Sequence, residues 1–255
     1  MFERLGEWII KILEEVGELT VLSGNTLYSV MRGNFRIKDV IAQMVRVGVE
    51  SIPVAITTAI FVGAVFALQI SSEFIKYGAG SVVGAVLGIA VARELAPAIT
   101  AVVISGRVGA AFAAEIGTMK VTEQIDAIYA MGSDPVKHLV VPRYLASTFM
   151  LPVLTIFADL IGFIGGYYVA VYVVGINSTG FLDSASMFMK VNDITGGVIK
   201  AVFFGMIISL IGCYRGMKAG GGARGVGEAT TNSVVNSLMA IFVVNYFMSI
   251  VLFKR

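Results

Sequence analysis

Long apolar blocks alternate with short polar segments along this chain. The blocks cover residues 51–70, 82–104, 139–174, 196–214 and 234–253, and each provides the roughly 20 residues that cross a bilayer core as a helix. The third block is longer than one span requires and contains Pro142 and Pro152. It predicts one tilted or kinked helix, although a division into two stays open. The pattern predicts five spans, with the chain termini on opposite faces of the membrane.

Residues 2–22 show a different pattern, because apolar residues at helical spacing share this stretch with glutamates. This arrangement predicts an amphipathic helix, whose apolar positions are Phe2, Leu5, Ile9, Ile12, Leu13, Val16 and Leu19. The helix either lies in the membrane interface or packs on the spans of its own chain. The charges also break up any signal-peptide core, so we expect insertion without cleavage. We expect one domain, with an N-terminal interfacial region at 1–48 and a transmembrane region at 49–255.

Composition supports the membrane interpretation. The chain is 57% hydrophobic and 14% charged, whereas a soluble domain is about 25% charged. One cysteine and one histidine exclude an internal disulfide and a His/Cys metal cluster. No metal or catalytic residues are predicted. A net charge of +2 with no basic, aromatic-rich patch gives no indication of nucleic acid binding.

Lysine and arginine are unevenly divided between the two ends of the predicted spans. One side carries Arg32, Arg36, Lys38, Arg46, Arg107, Lys120, Lys137, Arg143, Arg215, Lys218 and Arg224. The other side carries Lys76, Lys190, Lys254 and Arg255. The positive-inside rule therefore predicts that the first side is cytoplasmic.

A polar segment on that side, Glu115–Asp126, predicts a helix over about 115–131. Val121, Ile125 and Ile128 share one face of this helix, and Thr118, Thr122 and Asp126 share another. Gly132 provides a helix stop, and Ser133 or Asp134 a cap for the helix that begins at Pro135. The segment is either an ordinary surface helix or a helix with one face for a partner.

Charged residues inside the spans are functional candidates, because a charge at mid-membrane costs roughly 3 kcal/mol or more unless it faces a cavity or a partner. Arg93 and Glu94 lie near the middle of the second span, and we expect them to serve different surroundings because helical neighbours point about 100° apart. Lys200 either meets an anionic headgroup or reaches to the interface. The role of Asp159 is left open.

Aromatic and small residues near the outer ends of the spans have alternative interpretations. Phe66, Phe74 and Tyr77, together with Leu95, either line an acyl-chain path or belong to an interfacial aromatic belt. The pairs Gly84/Gly88 and Gly162/Gly166 permit close helix packing. We expect that packing to lie inside one subunit.

The stretch ARELAPAITAVVISGRVGAAFAAEIGTMKVTEQIDAIYAMGSDPVKHLVVPR (Ala92–Arg143) resembles the signature region of the MlaE/YrbE permease family. Its members are membrane subunits of ABC transporters that move lipids. The resemblance implies that the polar segment is a coupling helix that sits in a groove of a separate ATPase. The implied contacts are Glu115, Gly117, Thr118, Met119, Thr122, Glu123, Gln124 and Asp126. It also suggests that Glu94 faces a lipid cavity between spans one, two and five of two protomers, with Arg93 in structural or headgroup-side contacts.

The resemblance implies a permease of a phospholipid transporter in a bacterial inner membrane. The implied partners are an ABC ATPase subunit, a second copy of the chain and a periplasmic MCE-domain protein, and the residues leave open a small cytoplasmic regulatory subunit. The chain has no Gly-x-x-x-x-Gly-Lys-Ser/Thr loop, so no cofactor is expected here and the partner would hold ATP and Mg²⁺. The alternative is an ion-coupled secondary transporter that uses Glu94, Asp159 and Lys200.

Overall fold

The computed structural model describes residues 2–33 and 35–253, and helices account for nearly all of them, with no strand in this part of the chain. The α-helices are α1 (Phe2–Met31), α2 (Ile37–Val47), α3 (Ile52–Lys76), α4 (Val83–Ala90), α5 (Ala96–Ile104), α6 (Ala110–Val121), α7 (Gln124–Ala130), α8 (Val141–Tyr168), α9 (Ser178–Phe188), α10 (Val191–Met217) and α11 (Gly222–Phe253). This all-helical architecture agrees with the fold class that the sequence predicts.

Several of these helices join end to end into longer rods. Within the described residues, five rods are long and apolar enough to cross a membrane. They are Ile37–Lys76, Gly80–Val121, Val136–Val173, Val191–Met217 and Gly222–Phe253, and we number them as spans one to five. The predicted number of spans is confirmed. The third block is one continuous rod that contains Pro152 in the interior of α8, so it is not divided into two.

Helix α1 packs on its own chain. Glu15 pairs with Arg215, and Glu18 accepts one hydrogen bond from the Tyr214 hydroxyl and pairs with Lys218 at the end of α10. These contacts support packing on the chain's own spans as the role of the predicted N-terminal helix. The side chains of Phe2, Leu5, Ile9 and Ile12, which the sequence places on the apolar face, and the terminal Lys254 and Arg255 lie outside the part that the structure describes.

Spans one and three cross at small residues. A β-carbon at Gly63 of α3 would overlap the carbonyl oxygen of Gly162 of α8, so only glycine allows the two backbones to approach this closely. Gly166 packs against Leu87, and Gly84 packs against the backbone of Phe181. The expectation that both glycine pairs serve packing inside one subunit is confirmed.

The second span is interrupted by π-helical turns at Val91–Leu95 and Ser105–Gly109. Such turns often occur at functional sites, because the extra residue rotates the side chains that follow. The first turn precedes Pro97, which has no N–H for the carbonyl of Arg93. The carbonyl of Arg93 is therefore available to a hydrogen-bond donor from another helix.

The predicted single helix over 115–131 is wrong in its continuity. Helix α6 ends at Val121, and α7 begins at Gln124. Between them Glu123 has a left-handed backbone with φ of 59°, and the Thr122 hydroxyl donates to the carbonyl of Thr118. The segment therefore consists of the end of α6, a tight turn that we call the Thr122–Glu123 turn, and the short helix α7.

The exit from α7 agrees with the prediction. Gly132 has a positive φ of 70°, its N–H donates to the carbonyl of Tyr129, and the N–H of Ser133 donates to that of Ile128. This pair of bonds is a Schellman helix end. The Asp134 carboxylate accepts from the N–H of Val136 and caps the rod of the third span.

Candidate functional site

Ion pairs join residues of span two to residues of span four. Glu94 and Lys200 are 2.7 Å apart, and Arg93 and Asp193 are also 2.7 Å apart. We refer to these four residues as the intramembrane ion cluster. Acids and bases are equal in number within it, so the cluster is neutral as a whole. The prediction that Arg93 and Glu94 serve different surroundings is confirmed, because each has a different counter-ion on α10.

Glu94 is anchored to two helices. Its Oε1 accepts from Lys200 Nζ at 2.7 Å and lies 2.7 Å from the Ser249 hydroxyl, while its Oε2 accepts from Asn245 Nδ2 at 2.9 Å. Ser249 and Asn245 lie one turn apart on α11. The side chain is nevertheless 41% exposed. The carboxylate is therefore held in a fixed orientation and still presents an open side.

Lys200 is completely buried, with 0% exposure. Its ammonium donates to Glu94 Oε1, to the backbone carbonyl of Arg93 at 2.9 Å and to the Ser249 hydroxyl at 2.7 Å. These bonds use all three N–H groups of a lysine. The interpretation in which Lys200 reaches to the interface is wrong, since its ammonium satisfies the carbonyl that Pro97 leaves without a helical donor. Its contact with a lipid headgroup stays a prediction.

Arg93 is held by a buried acid and an aromatic ring. Its Nε donates to Asp193 Oδ1 at 2.8 Å, and Asp193 is almost fully buried. The other oxygen of Asp193 accepts from the N–H of Lys190 and so caps α10. The Phe253 ring lies 4.7 Å from the Arg93 guanidinium carbon and 5.1 Å from Lys200 Nζ. One ring thus covers both cations of the cluster.

Four members of this site were not predicted from the sequence. Asp193 lies at the start of span four, and the others, Asn245, Ser249 and Phe253, lie on α11. A usable signal exists for two of them, since Asn245 and Ser249 are polar residues at helical i, i+4 spacing in an apolar block. Asp193 and Phe253 carry no comparable sequence signal.

Asp159 stands apart from the cluster. Both of its carboxylate oxygens are buried, and neither has a hydrogen-bond partner within the described residues. No ion pair or hydrogen bond in this part of the chain joins Asp159 to Glu94 or Lys200. The structure thus brings together two of the three residues of the alternative ion relay and leaves the third unconnected.

The apolar candidates lie near one another on spans one and two. Leu95 lines a small cavity between spans one, two and three, and Phe66 lines an open groove on α3. Phe66, Phe74 and Leu95 pack against the same apolar cluster. Tyr77 ends α3 and is strongly exposed. The participation of these side chains in lipid binding stays a prediction.

The polar segment presents an exposed strip between spans two and three. Ile125 is buried and fixes α7 to a cluster that includes Leu22 and Tyr214. The exposed residues of the segment are Thr118, Thr122, Glu123, Gln124 and Asp126, and Met119 is partly buried. Lys120 and Asp126 pair across the turn at 3.0 Å. The turn is thus tied to the chain on one side and open on the other.

Two predicted contacts of this segment face inward. Gly117 is buried, and a β-carbon there would lie 3.2 Å from the side chain of Ala219. Glu115 is partly exposed, but its carboxylate pairs with Arg46 and Arg143. The binding of an ATPase by the eight residues named from the sequence stays a prediction.

Comparisons with known proteins assign the chain to a family. The model of the family described as Permease MlaE matches residues 40–251. A probable ABC transporter permease protein of Synechocystis sp. is 47% identical over 91% of this chain and 89% of its own length. A probable ABC transporter permease protein of Rickettsia typhi is 40% identical over 98% of this chain and 96% of its own.

A plant relative extends the comparison. Protein TRIGALACTOSYLDIACYLGLYCEROL 1, chloroplastic, of Arabidopsis thaliana is 38% identical over 92% of this chain and 67% of its own length. The family match covers spans one to five, including the ion cluster and the Thr122–Glu123 turn. The chain therefore belongs to the MlaE permease family and is a multi-pass permease subunit of an ABC transporter.

Proposed function

We propose that this permease moves phospholipids between the inner and outer membranes of a bacterial cell and so maintains the lipid asymmetry of the outer membrane. The observation that carries the proposal is the half-open Glu94 carboxylate, held by Lys200 within a membrane span. A neutral, fully paired cluster is stable in a low-dielectric region, and its open side offers hydrogen bonds to a polar headgroup. The Arabidopsis relative bears the name of a diacylglycerol lipid, which supports lipid as the cargo.

The lipid would meet the protein at two kinds of surface. Glu94 and the exposed part of Arg93 would face the headgroup. The acyl chains would lie along the apolar groove of α3, which includes Phe61, Val65 and Phe66. Such a division of polar and apolar contacts matches an amphipathic cargo and needs no covalent chemistry on it.

A second copy of the chain would complete the lipid cavity. Helix α11 carries the residues that hold Glu94, yet it is the least buried of the apolar rods. Its exposed apolar residues are Val235, Met239, Phe242, Val243, Tyr246, Phe247, Ile250 and Val251. Packing this face near the same face of a second protomer would enclose the α3 groove in a cavity between spans one, two and five.

An ATPase subunit would drive the cycle from the predicted cytoplasmic side. The exposed strip formed by Thr118, Thr122, Glu123, Gln124 and Asp126 would dock on it, and ATP and Mg²⁺ would be held by that partner. Closure of the ATPase pair would move the turn and shift the population of permease conformations. On the periplasmic side, an MCE-domain protein would receive or deliver the lipid.

The test is ATP-dependent transfer of fluorescent phospholipid in proteoliposomes that contain the chain and its co-purifying partners. Glu123→Lys places a cation in the docking strip. We expect transfer to fall about tenfold or more, because a tenfold change corresponds to a typical coupling free energy between two sites. Glu123→Gly removes the carboxylate but relaxes the left-handed backbone of the turn. It therefore separates the effect of losing the charge from the effect of disturbing the turn. Glu14→Lys on the exposed face of α1 is the matched control.

The opposite result would be equally clear. Transfer that continues without ATP, or that is indifferent to Glu123→Lys, would remove the basis for the ABC mechanism. A pH gradient that drove transfer under those conditions would favour the ion-coupled alternative.

A further inference from the structure

Glu115 joins three helices through one carboxylate. Its Oε1 accepts from Arg46 Nη1 of α2 at 2.8 Å, and its Oε2 accepts from Arg143 Nη2 of α8 at 2.6 Å. Arg46 and Arg143 lie 69 and 28 residues away in the sequence. We call these three residues the Glu115 clamp. It ties span two to span one and to span three at the end where the Thr122–Glu123 turn lies.

The two arms of the clamp differ in strength. The Arg143 side chain is 8% exposed, donates a further bond to the carbonyl of Leu139 at 2.8 Å and lies against the Phe112 ring. Loss of its counter-ion would leave a buried charge uncompensated, which is costly. The Arg46 side chain is 56% exposed, and pairs this exposed contribute little to stability. Arg143 is therefore the fixed arm and Arg46 the releasable arm.

Space beside the clamp allows the exposed arm to move. An open cleft there is lined by residues that include Gln43, Arg46, Glu50, Arg107 and Glu115. The Gln43 side-chain oxygen is buried there and has no hydrogen-bond partner within the described residues. An arginine that leaves Glu115 thus has both room and an alternative acceptor within the same cleft.

A second arginine, Arg107 of span two, also joins that span to span one. Arg107 donates to the carbonyl of Arg46 at 3.0 Å, to the Ser51 hydroxyl at 2.6 Å and to Glu50 at 2.9 Å. Arg107 and Glu115 are eight residues apart, or about 12 Å along a helix. This contact does not involve Glu115, so it keeps spans one and two together when the clamp opens.

The position of the clamp gives it a mechanical role. Glu115 lies eight residues before Glu123, again about 12 Å along α6. Any force on the turn passes through α6, and it must either carry Arg143 and Arg46 along or break their bonds to Glu115. We propose that Glu115 is a positioning residue that transmits movement of the turn to span three through Arg143 and gives up its bond to the Arg46 side chain of span one. This role rests on the proposed function, in which an ATPase acts on the turn.

The experiment measures phospholipid transferred per ATP hydrolysed by the full complex in proteoliposomes. We expect Glu115→Gln to lower this ratio about tenfold, compared at equal amounts of bound ATPase so that any loss of docking through Glu115 does not enter the comparison. A purely structural role would lower the rates of transfer and of ATP hydrolysis together, because fewer complexes would be intact. Glu115→Asp keeps the charge and should restore most of the ratio.

Two further variants sharpen the result. Arg46→Gln should lower the ratio less than Arg143→Gln, because its arm opens during the cycle. Glu228→Gln removes another exposed ion pair, with Arg224, and should leave the ratio unchanged. An unchanged ratio in Glu115→Gln, with ATP-driven transfer intact in wild type, overturns the clamp alone. A wild-type complex that shows no ATP-dependent transfer overturns the proposed function, and the clamp falls with it.

Discussion

The intramembrane ion cluster and the contact between α1 and α10 are assembled from the same kinds of pair. In each, two acids meet two bases that are far away in the sequence. The first joins Arg93 to Asp193 and Glu94 to Lys200. The second, which we call the α1 tether, joins Glu15 to Arg215 and Glu18 to Lys218. They differ in what surrounds them.

Surroundings decide how much each pair matters. Lys200 is fully buried, and its three bonds leave no N–H for water. Removing one partner there exposes a charge to a low-dielectric region. Lys218 and Glu18, in contrast, are about half exposed, so water replaces a lost partner and salt screens what remains. The same kind of ion pair is therefore required for stability in the intramembrane ion cluster, whereas its loss is tolerated in the α1 tether.

The largest expected effect comes from breaking one pair of the cluster. Lys200→Met should destabilise the folded chain by about 3 kcal/mol, because it leaves Glu94 with an uncompensated charge and the carbonyl of Arg93 without a donor. The measurement is the thermal unfolding midpoint of the purified complex in detergent. Glu94→Gln combined with Lys200→Met should recover much of this loss, since neither side chain is then charged. A double variant as unstable as Lys200→Met would show that electrostatics is not the cause.

A smaller effect is expected at the other pair of the cluster. Asp193→Asn keeps the shape of the side chain and one acceptor for Arg93, but it removes the countercharge. We expect a loss of about 1–2 kcal/mol, smaller than for Lys200→Met because Arg93 is partly exposed and also lies against the Phe253 ring. Unfolding midpoints again report the result. If Asp193→Asn and Lys200→Met lost the same stability, the more complete burial of Lys200 would not explain its larger expected effect.

The spans, and the presence of the charges of Arg93 and Glu94 within one of them, could be predicted from the sequence, because both follow from local patterns. Hydrophobic length identifies a span, and a charge inside a span is visible in one line of sequence. The behaviour of Lys200 was not predictable in this way. Its partners are a glutamate 106 residues away and a carbonyl freed by Pro97, and no periodicity connects these positions.

The break in the polar segment has a similar explanation. Val121, Ile125 and Ile128 are correctly spaced for one helix, and neither glycine nor proline marks the Thr122–Glu123 turn. Glu123 adopts a left-handed backbone that L-residues other than glycine disfavour. Packing of Ile125 into the cluster around Leu22 and Tyr214 fixes α7 in its own direction, and tertiary contacts of this kind outweigh local helix propensity.

A much smaller effect is expected at the tether. Glu18→Gln should leave the unfolding midpoint of the complex almost unchanged at physiological salt, because the glutamate is exposed and screened. It should instead increase hydrogen exchange in α1, which this tether holds against α10. Glu14→Gln, which changes an exposed glutamate of the same helix, is the control. A loss of global stability as large as that of Asp193→Asn would refute the contrast between the two regions.

The smallest effect is a dependence of the tether on pH. Hydrogen bonds from Lys218 and Tyr214 lower the pKa of Glu18 below its ordinary 4.5, and the hydrogen bond to Glu18 raises the pKa of Lys218 above 10.5. A lowered acid pKa stabilises the fold above the unfolded value and loses this contribution as pH falls through the folded one. A raised lysine pKa acts below its unfolded value and is lost as pH rises. The tether should therefore hold between about pH 5 and pH 10 and weaken on either side.

Hydrogen exchange of α1, corrected for intrinsic rates, should increase below about pH 4.5 in wild type more than in Glu18→Gln. Equal increases in both proteins would mean that another group, such as Glu15, controls the acid response.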